Sequence, residues 1–243
     1  MSEIAIANEA VVEQSVQTSG TKPRKRHALS TRIWHWINAV SIIILFMSGL
    51  NISNAHRYLY WGDWGFSPEQ AWLEVPRFPG WATIPGYYSL SGARDWHVIF
   101  SLVFAFSLLA FIILALLNGH MKRDIFARAR EWRPGNIWAD IKQHLKLNFE
   151  HGEGKYNILQ KISYAGVILI LIPLMIFTGM VMSPGMEAAW PWMTELFGGR
   201  QSARSLHFIA AWLLFAFFVV HIVLVVLAGP IHQLRDMTTG GRE

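Results

Sequence analysis

The chain has 243 residues, of which 53% are hydrophobic, 14% aromatic and only 15% charged, with a formal net charge of +5. A soluble domain usually carries charge on about a quarter of its residues, so an ordinary water-soluble globule is the first class excluded. Cysteine is absent, which excludes disulfides, thiolate catalysis, cysteine-held iron–sulfur clusters and covalently attached c-type haem, and leaves nitrogen and oxygen as metal ligands.

Residues 1–31 read as a basic N-terminal tail: 1–20 are polar and aperiodic, and the collar "TKPRKRHALSTR", which contains His27, suits anionic lipid headgroups. Four apolar stretches follow, at about 33–52, 96–117, 162–182 and 206–228. Each has about 20 residues, enough at ~1.5 Å rise per residue to cross a ~30 Å hydrocarbon core. The first begins too far into the chain, and is too long, for a cleaved signal peptide. The expected architecture is therefore all-α: an integral membrane four-helix up-and-down bundle over 32–230, followed by a short tail, 231–243.

The loops divide by charge. Lys and Arg number five in 1–32, eight in 119–159 and two in 230–243, against three in 53–94 and two in 182–204. By the positive-inside rule both termini and the central loop are cytoplasmic, and the two poorer loops face outward. The positive charge thus points to a bilayer, not to nucleic acid. The outer loop 53–94 is rich in Trp, Tyr, Gly and Pro, a composition that suits either an interfacial lid or a docking surface for a partner. In the central loop, Ile137, Trp138, Ile141, Leu145 and Phe149 stand at near-helical spacing among basic residues, the pattern of a short amphipathic helix on the cytoplasmic surface. "LFMSGLNIS" and "MIFTGMVMSP", in the first and third spans, are weakly alike when Gly49 is set against Gly179; that register places Ala165 opposite His35, and Pro173 is expected to kink the third span.

Four of the ten histidines fall within the apolar spans: His35, His97, His207 and His221. Intramembrane ionisable residues are functional candidates. With helices alternating in direction, His97 and His207 lie near the outer surface, and His35 and His221 near the inner one. His207 and His221 are 14 residues apart, about 21 Å along one helix and within about 40° of the same face. Two neutral imidazoles from opposing helices at each of two depths is the arrangement that bis-histidine haem requires, whereas zinc needs about four ligands per site. Arg32, Arg94 and Arg204 each precede one of these histidines by three residues, one turn nearer the water. Guanidinium matches the shape of a haem propionate, although snorkelling at a helix end also places arginine there.

The stretches "RIWHWINAVSIIILFMSGL", "ARDWHVIFSLVF", "GKYNILQKISYAGVILILIPLMIFTGM" and "SLHFIAAWLLFAFFVVHIVLVVLAG" resemble the bacterial four-helix di-haem cytochrome b subunits of nickel–iron hydrogenase, formate dehydrogenase and thiosulfate reductase, most closely the last two types. The resemblance implies two haem b groups, with His97 and His207 as axial ligands of the outer one and His35 and His221 of the inner one. It also implies a quinone site at the segment leading into the third span, where "KYNILQK" supplies Tyr156, Asn157, Gln160 and Lys161; Leu159 departs from a glycine common in formate dehydrogenase subunits. A plain polar helix start accounts for the same segment. The other histidines here, His120, His144, His151 and His232, are read as solvated or interfacial, with His144 or His151 a possible quinone donor.

The function expected is that of an electron-transfer subunit in an oxidoreductase complex of the bacterial inner membrane. It would pass electrons between a periplasmic catalytic redox subunit, of molybdoenzyme or hydrogenase type, and the quinone pool. The alternative is a self-sufficient haem quinone reductase oxidising a small substrate such as superoxide. The outer loops carry five basic and five acidic residues, which gives little field to steer an anion.

Overall fold

The computed structural model describes residues 28–117 and 158–241, with positions 135, 138, 141 and 142 between them. Tyr156, Asn157, His27, His120, His144 and His151 lie outside the described residues, as does most of the expected amphipathic helix; of that segment, Trp138 and Lys142 are described as helical, with the Lys142 ammonium 5.5 Å from the Trp138 ring centre.

Among the described residues, four helices are long and apolar enough to cross a membrane. In lipid every backbone N–H and C=O must be satisfied within its own segment, which is why apolar runs of this length become helices. Helix α1 is Leu29–Ala55. A loop with a two-residue antiparallel ladder follows, β1 (Tyr58–Leu59) against β2 (Leu73–Glu74), with Tyr58 opposite Glu74. Helix α2 is Leu90–Leu117. The third span comprises α3 (Ile158–Gly166), a π-helical turn (Val167–Leu171) and α4 (Ile172–Val181). Short helices α5 (Pro184–Ala189) and α6 (Trp192–Leu196) lead to the fourth span, α7 (Arg200–Leu227), and α8 (Pro230–Thr239) follows. The helices run several residues past the apolar stretches, carrying the three Arg-x-x-His pairs inside regular helix.

The wide turn in the third span has a local cause. Pro173, in the first turn of α4, has no N–H to give the carbonyl one turn back, and the ladder loosens just before it: the Ile172 N–H bonds to the Val167 carbonyl, five residues earlier.

The spans pack in two hairpins, α1 along α2 and α4 along α7, while the backbone of α7 stands off from both α1 and α2. Phe104, Leu108, Phe111 and Ala115 of α2 meet Ile168 and Ile172 of the third span and Leu214 of α7, with Trp34 of α1 stacked on Phe111 at 4.2 Å. The helix ends joined by 56–89 and 182–199 form the loop end of the bundle; the start of α1 and the finish of α7 form the terminal end.

At the loop end the first loop is fastened down. Asn51, fully buried, donates to the carbonyls of Pro85 and Tyr87 at 3.0 and 2.9 Å. Ser205 of α7 donates to the Tyr60 carbonyl at 2.6 Å and accepts from the Trp72 indole at 2.9 Å. The Gly62 N–H donates to Ser202 at 2.7 Å, and its carbonyl accepts from the first N–H groups of α7, at Gln201 and Ser202. Gly199, with φ +106°, lies so close that a Cβ there would stand 2.4 Å from the Gly62 carbonyl. Only glycine permits both the backbone angle and that approach. The loop is a lid bound to α7, and it still displays Trp64, Phe66, Trp81, Tyr87 and Tyr88 to the surroundings.

A candidate haem site between the helices

Helix α7 presents His207 and His221 toward the opposite hairpin, and the structure brings each to a different partner. The rings of His97 (α2) and His207 (α7) have centres 6.2 Å apart, and those of His35 (α1) and His221 (α7) 6.3 Å apart, both inclined at 59°. A metal binds an imidazole nitrogen at about 2.0–2.1 Å, and that nitrogen lies about 1.1 Å from its ring centre, so one metal held between two imidazoles separates the centres by about 6.3 Å. Both pairs have this spacing. Among the described residues no third His, Cys, Asp or Glu joins either pair to make a metal-binding group. Two axial nitrogens with four equatorial ones from a porphyrin suit this donor set, and tetrahedral zinc does not.

The two pairs are supported differently. At the loop end, Ser48 Oγ of α1 lies 3.0 Å from His97 Nδ1, and Thr178 Oγ1 of α4 lies 3.0 Å from His207 Nδ1. The glycine after each hydroxyl shelves the same ring: a Cβ at Gly49 would stand 3.5 Å from His97 Cε1, and one at Gly179 3.4 Å from His207 Cε1. At the terminal end, His35 meets Trp36 edge-on at 5.3 Å, and His221 stacks on Phe217 at 6.0 Å. His35 Nδ1 is buried and makes no hydrogen bond among the described residues.

The arginines also separate. Arg94 and Arg204 stand at the loop end with His56, just past the end of α1, near enough that their charges act on its ring. Arg204 donates to Gln201 at 3.0 Å, and among the described residues neither Arg94 nor Arg204 forms an ion pair with a carboxylate. Burial first, then the positive charges of Arg204 and Arg94, hold the His56 pKa below its ordinary value. A cluster of basic groups without an acid suits the carboxylates of haem. Arg32, at the terminal end, is buried and donates to the Thr238 carbonyl at the last turn of α8, while Trp36 donates to Met237 at 3.3 Å. Of the segment proposed for quinone, Gln160 and Lys161 are described, in the first turns of α3 at the terminal end, with Lys161 buried.

Ser48, Gly49, Thr178, Gly179 and His56 are residues that reading the sequence did not single out for the site. Four of them carry the likeness between "LFMSGLNIS" and "MIFTGMVMSP". Each Ser/Thr-Gly pair braces a ligand-candidate histidine on the neighbouring helix of its own hairpin.

Comparison with known proteins settles the family. The model of prokaryotic cytochrome b561 matches residues 26–240. The chain belongs to the prokaryotic cytochrome b561 family. This membrane cytochrome is 29% identical over 197 residues, 81% of its chain and 87% of the relative, to a putative protein-methionine-sulfoxide reductase subunit YedZ1 of Azospira oryzae. It is 25% identical over 236 residues, 88% of each chain, to a probable Ni/Fe-hydrogenase B-type cytochrome subunit of Azotobacter vinelandii. A relative of the same description from Cupriavidus necator is 22% identical over 235 residues, covering 89% of this chain and 85% of its own. Membership makes the chain a haem b electron-transfer protein of the membrane, and the relatives above are named as subunits of hydrogenase and methionine-sulfoxide reductase.

Proposed function

We propose that the chain is the di-haem cytochrome b subunit of a respiratory complex in the bacterial inner membrane, linking a periplasmic catalytic redox subunit to the quinone pool. The observation that carries this reading is the pair of histidine–histidine spacings, 6.2 and 6.3 Å, stacked along α7. His97 and His207 hold the haem at the loop end, and His35 and His221 hold the one at the terminal end. Bound haem b supplies reversible one-electron chemistry. Arg94 and Arg204 receive propionate at the loop end, and Arg32 stands at the other end, where α8 already engages it. The four rings are half-buried between the two hairpins, and 14 residues of α7, about 21 Å, set the separation of the pairs.

The charge asymmetry of the loops orients the termini to the cytoplasm, so the loop end faces the periplasm. Relatives named as hydrogenase and methionine-sulfoxide reductase subunits supply the precedent for a catalytic partner. Quinone is assigned to the cytoplasmic side on the strength of Gln160 and Lys161, in the first turns of α3 at the end of the bundle that bears His35 and His221; Tyr156 and Asn157, the rest of the sequence motif, lie outside the described residues.

The test is haem stoichiometry with a difference spectrum. The purified chain is expected to bind two haem b per polypeptide, and His207→Ala to bind one, with the spectrum of the His35–His221 site retained. Loss of both, or of neither, would overturn the assignment of ligands to levels.

A further inference from the structure

The two hydroxyls at the loop end are arranged alike, and their protons are already committed. Ser48 Oγ donates to the Ile44 carbonyl at 2.7 Å, and Thr178 Oγ1 to the Leu174 carbonyl at 2.6 Å. This is the i−4 bond usual for Ser and Thr in membrane helices. A hydroxyl has one proton and two lone pairs. With the proton on the backbone, each oxygen meets its histidine only as an acceptor, so Nδ1 of His97 and of His207 carries the hydrogen and Nε2 is left bare. The Leu45 and Met175 carbonyls, at 3.1 and 3.2 Å from Ser48 Oγ and Thr178 Oγ1, offer each hydroxyl proton a second backbone acceptor. At the terminal end, the buried Nδ1 of His35 has no hydrogen-bond partner among the described residues.

A histidine that gives its second N–H to an acceptor is fixed in orientation and becomes a stronger donor to its metal. Stronger donation favours the oxidised metal and lowers the reduction potential, one of the ways a protein tunes haem. We propose that Ser48 and Thr178 are paired positioning residues that lock His97 and His207 as Nε2 ligands and lower the reduction potential of the loop-end haem. The effect is confined to that level, so it biases electrons toward the terminal end. The inference rests on the di-haem reading above.

Thr178→Val keeps the branched shape and removes the hydroxyl; Ser48→Ala removes the other with little loss of volume. Thr178→Ser and Ser48→Thr keep an oxygen in place. In full-length protein purified with its haems, the measurement is a redox titration following the absorption of each haem separately, with haem content per polypeptide. Thr178→Val and Ser48→Ala should each raise the loop-end midpoint, the double variant more than either, and weaken haem retention at that level by about tenfold. The terminal-end midpoint should stay, and the two conservative variants should titrate as the wild type does. Loop-end midpoints that stay, fall, or move in step with the terminal end would overturn the proposal. Each ring has its own hydroxyl, so if one variant fails to assemble the other decides. A wild type with fewer than two haems refutes the di-haem reading itself; two haems with an unmoved loop-end midpoint refute only the role of Ser48 and Thr178.

Discussion

His56 shows how a single residue reports on the loop-end cluster. Its pKa is depressed by burial and by Arg204 and Arg94, so the unfolded chain binds this proton more tightly than the folded one. Stability then rises with pH: the contribution is fully present above the ordinary value near 6.5 and is lost as pH falls through the folded value. His56→Gln should therefore unfold at nearly the wild-type temperature at about pH 8 and decline less between about pH 6.5 and 5, measured by thermal unfolding in detergent. An identical pH slope in the variant would mean that the ring does not sense the two arginines. The same scale separates what a sequence shows from what it hides. The four histidines and three arginines are legible because each signal, a spacing of three or of 14, lies within one helix. Ser48 and Thr178 are not, because a serine or threonine before a glycine means nothing until the histidine of another helix is known to face it. His56 is hidden for a similar reason: the two charges that act on it come from α2 and α7.

At the scale of elements, Arg32 ties two helices together. Its guanidinium reaches the last turn of α8, where exposed carbonyls carry the negative end of the helix dipole. Arg32→Gln should cost about 1–2 kcal/mol of stability and release α8, seen as faster amide exchange over 230–239 than in the wild type. Unchanged exchange would show that the contact does not hold α8, and would free Arg32 for a propionate alone. The long apolar spans are legible because lipid enforces helix on any such run. The π turn at Val167–Leu171 is not: Pro173 announces a disturbance, but whether a span kinks or widens depends on the neighbours that satisfy the freed carbonyls. Helix α8, short and polar, carries no hydropathy signal, and its place is set by contacts with Arg32 and Trp36 that come from the far end of the chain.

The whole molecule presents two unlike faces, and the loop end is the one built for company. Its lid is fixed to α7 through Ser202, Ser205 and Gly62, so the aromatics it displays are held on a firm base, at low entropic cost to a partner. Trp64 and Phe66 are 75% and 82% exposed and stack on each other at 6.0 Å. Composition alone leaves a lid and a docking surface as alternatives; the hydrogen bonds show a lid, and the exposed rings leave its outer side available for docking. Large aromatics at the centre of an interface commonly dominate its affinity, each worth about 2 kcal/mol or more. Trp64→Ser with Phe66→Ser should accordingly weaken retention of the proposed catalytic redox subunit at least about tenfold on mild detergent extraction, while haem content and membrane insertion remain as in the wild type, since neither ring touches the histidine pairs. Retention unchanged by the double substitution would move the docking surface elsewhere. A wild-type chain that reduces quinone fully by itself, with no second polypeptide attached, would instead favour a self-sufficient reductase, whose anionic substrate would meet His56, Arg94 and Arg204 directly.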